Sequence, residues 1–282
     1  MQDLIHFRNV ETDSFLNETL VSIGYPVYNG ECYIQKSMEA LLNQTYKNFE
    51  IIISDNASTD GTQALCISYA SMDSRIRYIR QSENIGAAKN LNFVLNEAKG
   101  RYFMWNASDD IRTTNCLQYY LDNIGTANAF YSSYAQYSFS LDKIIRVFNP
   151  PLLLGSSESR CQDVSEYFNK TCPSMIYGLF KTELIKKIKF ENVDWSDVLL
   201  VTKYIVLFGY KTTIASPTVY LGFAEQAYRI KPFNGRFLNP LTLLLKTFPI
   251  VVFKGGYFGW FYYAKRIVSI ISLSLKFNLF KR

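Results

Sequence analysis

Histidine is almost missing from this chain: there is one, His6, in a polar leader. A serine or cysteine nucleophile activated by imidazole therefore has no base to draw on. Cysteine is scarce too. The five (32, 66, 116, 161 and 172) are odd in number and form no CxxC pair, which excludes a disulfide frame or thiolate zinc site and reads as reduced thiols in a cytosolic chain. Neither GxGxxG nor GxxxxGKS/T occurs, so the glycine-rich phosphate cradles are unsupported. The N-terminal MQDLIHFRNVETDSF has no basic flank followed by an apolar core, so no signal peptide is expected. Acids are absent from residues 226–282, which hold ten of the 30 Lys and Arg.

That last absence divides the molecule electrically. The net charge of +6 hides a body, residues 1–225, with 20 basic against 24 acidic residues, followed by a basic, aromatic tail. Such a tail points to a membrane surface or a polyanion. Hydrophobic residues at 48% and aromatics at 16% exclude a disordered chain. A length of 282 residues suits one domain with an appendage better than two equal domains.

Residues 1–18 read as a leader. Thr19–Tyr25 predicts a strand whose ladder Pro26 should end, having no N–H to give. After the loop Tyr28-Asn29-Gly30-Glu31, apolar spacing predicts a helix over 34–44. Phe49–Ser54 is a nearly all-apolar strand, as in a parallel sheet covered on both faces. The turn-rich Asp55–Thr62 leads to a helix over 63–70. A strand at 76–80, a helix over 87–98 and a strand at 102–105 follow. Strand and helix alternate from 19 to 110, the pattern of an open, mostly parallel α/β sheet. In such sheets ligands bind beyond the carboxyl ends of the strands, so PVYNGE, DNASTDG and NASDD should converge on one crevice.

The stretch GRYFMWNASDDIR (100–112) concentrates the chemistry. Adjacent Asp109 and Asp110 at the end of a buried strand repel and lose hydration unless a cation or proton intervenes. Hard oxygen ligands, few in number, suit Mg²⁺ or Mn²⁺ shared with a substrate's phosphates. An aspartate there could equally cap a following helix.

The segments VSIGYPVYNGE (21–31), LLNQTYKNFEIIISDNASTDGT (41–62), NIGAAKNLN (84–92) and AKGRYFMWNASDD (98–110) resemble the family 2 glycosyltransferases. The resemblance covers about 90 residues in order and spacing and implies the GT-A fold: a Rossmann-like, mostly parallel sheet flanked by helices, here followed by C-terminal amphipathic helices. With the leader (1–18) and the basic tail (226–282) set apart by their own composition, it implies a catalytic domain at 19–225 (donor half 19–110, acceptor half 111–225). It implies that Pro26, Tyr28 and Asp55 line a nucleotide base with Glu31 nearby, and that Ser108 and Asp109 hold the sugar nucleotide. An aromatic edge packing on a base while a carboxylate accepts from its ring N–H fits those residue types. The family's Asp-x-Asp maps onto Ala107-Ser108-Asp109, so its first acid is absent and Asp109 is carried over as the ligand of Mn²⁺ or Mg²⁺.

In the second half, 127–148 carries aromatic strand-like runs, 149–160 a loop, and 176–184 a strand entering a short helix. The resemblance makes Asp197, at the start of the apolar helix Val198–Phe208, the candidate general base, with Asp194 in reserve. The residue types alone allow a plain helix cap. The helix dipole should favour the ionised form and leave a weak base. Arg229, with Lys231, is the candidate basic residue for a leaving diphosphate. Lys265, Ser269, Ser272 and Lys276 form one polar stripe on a broad apolar surface, an interfacial rather than spanning pattern, although packing on the body or a second copy would also use it.

The expected activity is inverting, metal-dependent transfer of a sugar from a nucleotide diphosphate, UDP foremost, to a hydroxyl of a lipid-linked or cell-envelope glycan. The expected place is the cytoplasmic face of an anionic membrane, with no nucleic acid as partner. A non-catalytic sugar-nucleotide or glycan-binding protein of the same fold is the alternative that Ala107 motivates. A nucleotidyltransferase is disfavoured by the absent glycine- and lysine-rich phosphate loop.

Overall fold

The computed structural model describes residues 19–170, 172–192 and 196–222. The leader, Asp194, Arg229, Lys231 and the tail from 226 lie outside the described residues.

Strand β1 (Val21–Val27) is central, with β2 (Phe49–Asp55), β3 (Ile76–Arg80) and β4 (Tyr102–Trp105) following along the chain. Between them run α1 (Glu31–Leu42), α2 (Thr62–Met72) and α3 (Ala87–Asn96). In α1 the apolar residues repeat at helical spacing, and Ile34, Met38 and Leu41 are buried along one stripe. The rest comprises β5 (Ile111–Arg112), α4 (Cys116–Ile124), β6 (Ala129–Tyr131), β7 (Tyr134–Ser138) and β8 (Lys143–Phe148). Then come α5 (Arg160–Asn169), a 3₁₀ turn (Pro173–Tyr177), β9 (Leu179–Lys181), α6 (Thr182–Ile185), α7 (Ser196–Phe208), β10 (Lys211–Thr212) and β11 (Val219–Gly222).

Seven strands form one sheet in the order β10-β6-β9-β4-β1-β2-β3. All its pairings are parallel except those of β9, which runs antiparallel to β4 and β6. The mostly parallel α/β architecture expected from the alternation is therefore present. A second sheet, β5-β11-β7-β8, was not expected. Its strands are short or two-sided, so they carry little period-2 signal.

Pro26 does not end β1, which continues to Val27 with Pro26 opposite Ser54. The Val27 carbonyl faces β2, accepting from Asn56 N, whereas the Gly24 carbonyl faces β4, accepting from Asn106 N. Pro26 shares the β4-facing side with Gly24, and β4 has already ended at Trp105. Its missing N–H is not needed there.

Trp105 anchors the core: its ring meets Phe103, Phe180 and Phe190 edge to face, and Nε1 donates to the Leu91 carbonyl. Helix α7 is buried on nearly every side, so it is an internal strut. Cys32, Cys66, Cys116 and Cys172 are unpaired thiols. Among the described residues no helix is long and apolar enough to cross a membrane.

Candidate active site

The loops after β1, β2 and β4 meet at one end of the sheet. The first two are laced together. Asn29, in the left-handed region at φ 51°, donates from its N–H to Ser58 Oγ and accepts at Oδ1 from Thr59 N. Gly30 N donates to Thr62 Oγ1, Glu31 N to Asp60 Oδ2, and Gly61 N to Glu31 Oε2 at 2.8 Å. Glu31 thus satisfies a backbone donor beside the α2 N-terminus. The third loop touches the first through Ser108, whose Oγ lies 3.0 Å from where a Cβ on Gly30 would sit; a larger residue at 30 would push them apart. The convergence expected from the strand order is realised.

Asp55, at the end of β2, is fully buried. Its Oδ1 accepts from Ser58 N at 2.8 Å, and its Oδ2 from Tyr78 Oη at 2.9 Å and Arg80 Nη1 at 2.5 Å. Arg80 Nη2 also donates to the Ser58 carbonyl. Asp55 therefore presents no open edge in this arrangement; what faces outward beside it is Arg80 and the half-exposed ring of Tyr28. Pro26 is partly buried within β1. Arg80 and Tyr78 escaped the sequence reading, although the parallel register that sets Asp55 opposite Arg80 could have suggested the pair.

The β4 loop holds a different kind of carboxylate. Asp109 and Asp110 line one cavity of about 290 Å³ with Asp197, Tyr177 and, from β7, Tyr134 and Gln136. Asp110 is almost wholly buried and turned inward: Oδ2 accepts from Ala107 N at 3.3 Å and Oδ1 from Gly222 N at 3.4 Å. Its carboxyl is pushed up to about 8 by burial and by Asp109, with Arg112 opposing the rise. Burial also raises Asp109. Gly222 packs so closely on Asp109 that a Cβ there would stand 2.4 Å from the Asp109 carbonyl oxygen.

Beneath them lies Arg112, buried, donating to Asn106 Oδ1 (2.9 Å) and the Trp105 carbonyl (2.8 Å). Among the described residues no carboxylate lies within ion-pair distance of it. It offsets part of the Asp110 charge through space and ties the acidic loop to the end of β4.

Asp197 stands in the first turn of α7 and accepts from Val198 N at 2.8 Å. Its carboxyl is raised by burial, against the pull of that N–H. This corrects the expectation of a weak base held ionised by the helix dipole. Loss of hydration in the cavity outweighs the terminal amides, which makes the ionised form a better proton acceptor. The Tyr177 hydroxyl is pushed well above its ordinary range by burial and by Asp110, Asp109 and Asp197, so it stays protonated among three carboxylates.

Among the described residues no three His, Cys, Asp or Glu side chains stand close enough to cage a metal ion. The donor set fits a hard divalent cation differently. Asp109, with Asp110 behind it, offers carboxylate oxygen in a site starved of positive charge, and the remaining ligands would come from water and a substrate's phosphates. This is how Mg²⁺ and Mn²⁺ are held when shared with a nucleotide.

Comparison with known proteins bears on the family and the fold. The family model described as "Glycosyl transferase family 2" matches residues 22–188. An Escherichia coli relative, the UDP-Glc:alpha-D-GlcNAc-diphosphoundecaprenol beta-1,3-glucosyltransferase WfaP, is 36% identical over 182 residues, covering 64% of this chain and 68% of its own. Matches to several other curated glycosyltransferases span only 16% to 33% of their lengths. Among solved structures, Staphylococcus aureus TarS 1–349 in complex with UDP superposes with a TM-score of 0.60 at 16% identity, over 80% of this chain and 64% of TarS. The mannosyltransferase PcManGT of Pyrobaculum calidifontis, in complex with GDP-Man and Mn²⁺, superposes with a TM-score of 0.54 at 19% identity, over 81% of this chain and 64% of its own. Those likenesses speak to the fold, which is GT-A. With more than half its length matched by the family model, the chain belongs to glycosyl transferase family 2.

Proposed function

We propose that the chain transfers a sugar from a nucleotide diphosphate, UDP foremost, to a hydroxyl of a lipid-linked or cell-envelope glycan, with inversion at the anomeric carbon. The observation that carries this reading is the shared cavity: Asp109, Asp110 and Asp197 reach it from the ends of β4 and α7. The acceptor oxygen attacks the anomeric carbon on the face opposite the nucleotide. The bond to the diphosphate oxygen breaks with its electron pair leaving on that oxygen, and the acceptor proton passes to Asp197. Asp109 holds the place of a divalent cation, Mn²⁺ or Mg²⁺, which when bound supplies neutralisation of the departing diphosphate. Tyr28 offers a face to the base, Asp55 acts through the Arg80 it orients, and Glu31 and Ser108 hold the loops in register. Arg229 is a further candidate for the diphosphate.

Two findings support the substrate classes. WfaP is named for a UDP-sugar donor and a diphosphoundecaprenol-linked acceptor, and TarS was solved with UDP. The division at 225/226, and membrane association through the tail's ten cations, belong to this proposal.

The test uses the full chain with a panel of UDP- and GDP-sugars and an undecaprenyl-diphosphate-linked acceptor, with and without Mn²⁺ or Mg²⁺. Metal-dependent release of nucleoside diphosphate with glycosylated lipid is expected. Asp109→Asn should lower turnover about 10²–10³-fold, the scale of losing one electrostatic stabiliser of a developing charge. Wild-type turnover in that variant at limiting metal would remove Asp109 from the reaction. Donor binding without turnover would favour the non-catalytic reading that Ala107 motivates.

A further inference from the structure

The hairpin formed by β7 and β8 ends in an edge that the transferase reading leaves unused. Among the described residues β8 is the outer strand of the second sheet, and five of its six residues are exposed. Within seven residues, Leu141, Ile144, Ile145 and Val147 are 54%, 44%, 45% and 50% exposed. That density of large aliphatic side chains on an open edge is costly in water and marks a contact surface. The cations Lys143 and Arg146 stand between them. The local acid, Asp142, is already engaged, by Lys36 at 2.5 Å and by the Tyr137 hydroxyl. The Arg146 guanidinium lies over the Phe148 ring, 4.9 Å from its centre, so its charge sits above an apolar base.

We propose that this hairpin docks on a lipid bilayer carrying anionic headgroups, Leu141, Ile144, Ile145 and Val147 entering the interfacial layer while Lys143 and Arg146 meet the phosphates. Aliphatic side chains flanked by cations are the composition such a boundary favours. Edge-to-edge pairing with a second copy fits less well. The β7–β8 register shifts between Gln136 and Tyr137, which leaves Ile145 as an extra residue and bends the strand. A symmetric pair would also set four cations along one seam.

The register gives the contact a consequence. Tyr134 and Gln136 line the acidic cavity, and their partners across the ladder are Phe148 and Arg146, on the same face. Ile144 and Val147 pair with Tyr137 and Ala135 on the opposite face, so the strand docks edge-on, with Lys143 and Arg146 on the cavity side and these aliphatics on the other. The docking itself is independent of the transferase reading, since it is measured without turnover.

The experiment uses the full chain in a Cys32→Ser, Cys161→Ser background. An environment-sensitive dye is placed on Ile145→Cys or, as a control on α2, on Ile67→Cys. Vesicles of phosphatidylcholine alone, or of equal phosphatidylglycerol and phosphatidylcholine, are then added. A blue shift at 145, quenched by nitroxide lipid and confined to anionic vesicles, is expected, with no change at 67. Lys143→Ser with Arg146→Ser should weaken vesicle binding about twenty-five-fold, two cations each contributing about a factor of five at an anionic surface. Several results would overturn the proposal: vesicle binding with an unmoved dye at 145, no vesicle binding, or unchanged affinity in the charge variant. A shift at 145 that grows with protein concentration in the absence of lipid would assign the edge to a second copy instead.

Discussion

The carboxylates of the β1–β2 edge and those of the cavity beside it are held within one crevice, yet on opposite terms. Asp55, Asp60 and Glu31 are each supplied with donors: a guanidinium and a phenol for Asp55, backbone amides for the other two. Asp109, Asp110 and Asp197 share a cavity beside which the buried cation Arg112 spends its hydrogen bonds on the Asn106 and Trp105 oxygens and the Cys116 sulfur. All three are raised by burial. Satisfied carboxylates hold loops in place, whereas under-satisfied ones lower the fold's stability and raise its affinity for a proton or a cation. The same residue type serves as mortar in one place and as chemistry in the other.

The sharpest way to break this contrast is to neutralise one member of each group. Asp197→Asn keeps the acceptor oxygen for Val198 N but cannot take a proton, so turnover should fall about 10²–10⁴-fold with donor affinity unchanged. Its melting temperature should stay level or rise, because a buried charge is removed. Steady-state kinetics and calorimetry on one preparation decide it. Near-normal turnover would leave Asp197 as a helix-end residue, and a loss confined to Asp194→Asn would move the base three residues upstream. Asp55→Ala should behave in the reverse way, costing about 3 kcal/mol of stability by leaving Ser58 N and Arg80 without their acceptor. Chemical denaturation measures that cost. An Asp55→Ala protein as stable as wild type would dissolve the distinction.

How much of this was legible in the sequence depends on the range of the contacts. The alternation from 19 to 105 is local, and each strand expected there is present, with helix ends shifted by a few residues. Thr62 and Glu31 begin helices one and three residues before their expected starts, because loop donors and acceptors settle the ends and apolar spacing does not see them. The meeting of the three loops followed from strand order alone. The second sheet did not. β11 joins β5 and β7 across roughly 80 to 110 residues, and two- or four-residue strands carry no readable period. Arg112 was equally hidden: a basic residue two places after an acidic pair reads as solvated surface until the tertiary structure buries it. The raised carboxyl of Asp197 came from the same source, since burial of a helix start cannot be counted from its own residues.

The electrostatic half of the contrast is tested through stability rather than turnover. Asp110 has a folded-state pKa near 8 against an ordinary value of 3.8. A carboxyl raised on folding binds its proton more tightly in the native state, so its stabilising contribution is complete below the unfolded value and is lost as pH climbs through the folded one. Asp109 and Asp197 act in the same direction. The melting temperature should therefore decline as pH rises from about 4 toward about 8, where most proteins are level or improving. Asp110→Asn should flatten that decline while leaving the acidic limb, where carboxylates such as Asp73 and Asp142 have lowered values, untouched. Mn²⁺ or Mg²⁺ should stabilise the wild type more at the upper end of the window than at the lower, because the cation competes with the proton for the same oxygens. A melting profile that rises across the window in the wild type, and is unchanged by Asp110→Asn, would mean that the cavity is wetter than its walls imply and that its carboxylates are no less satisfied than Asp55.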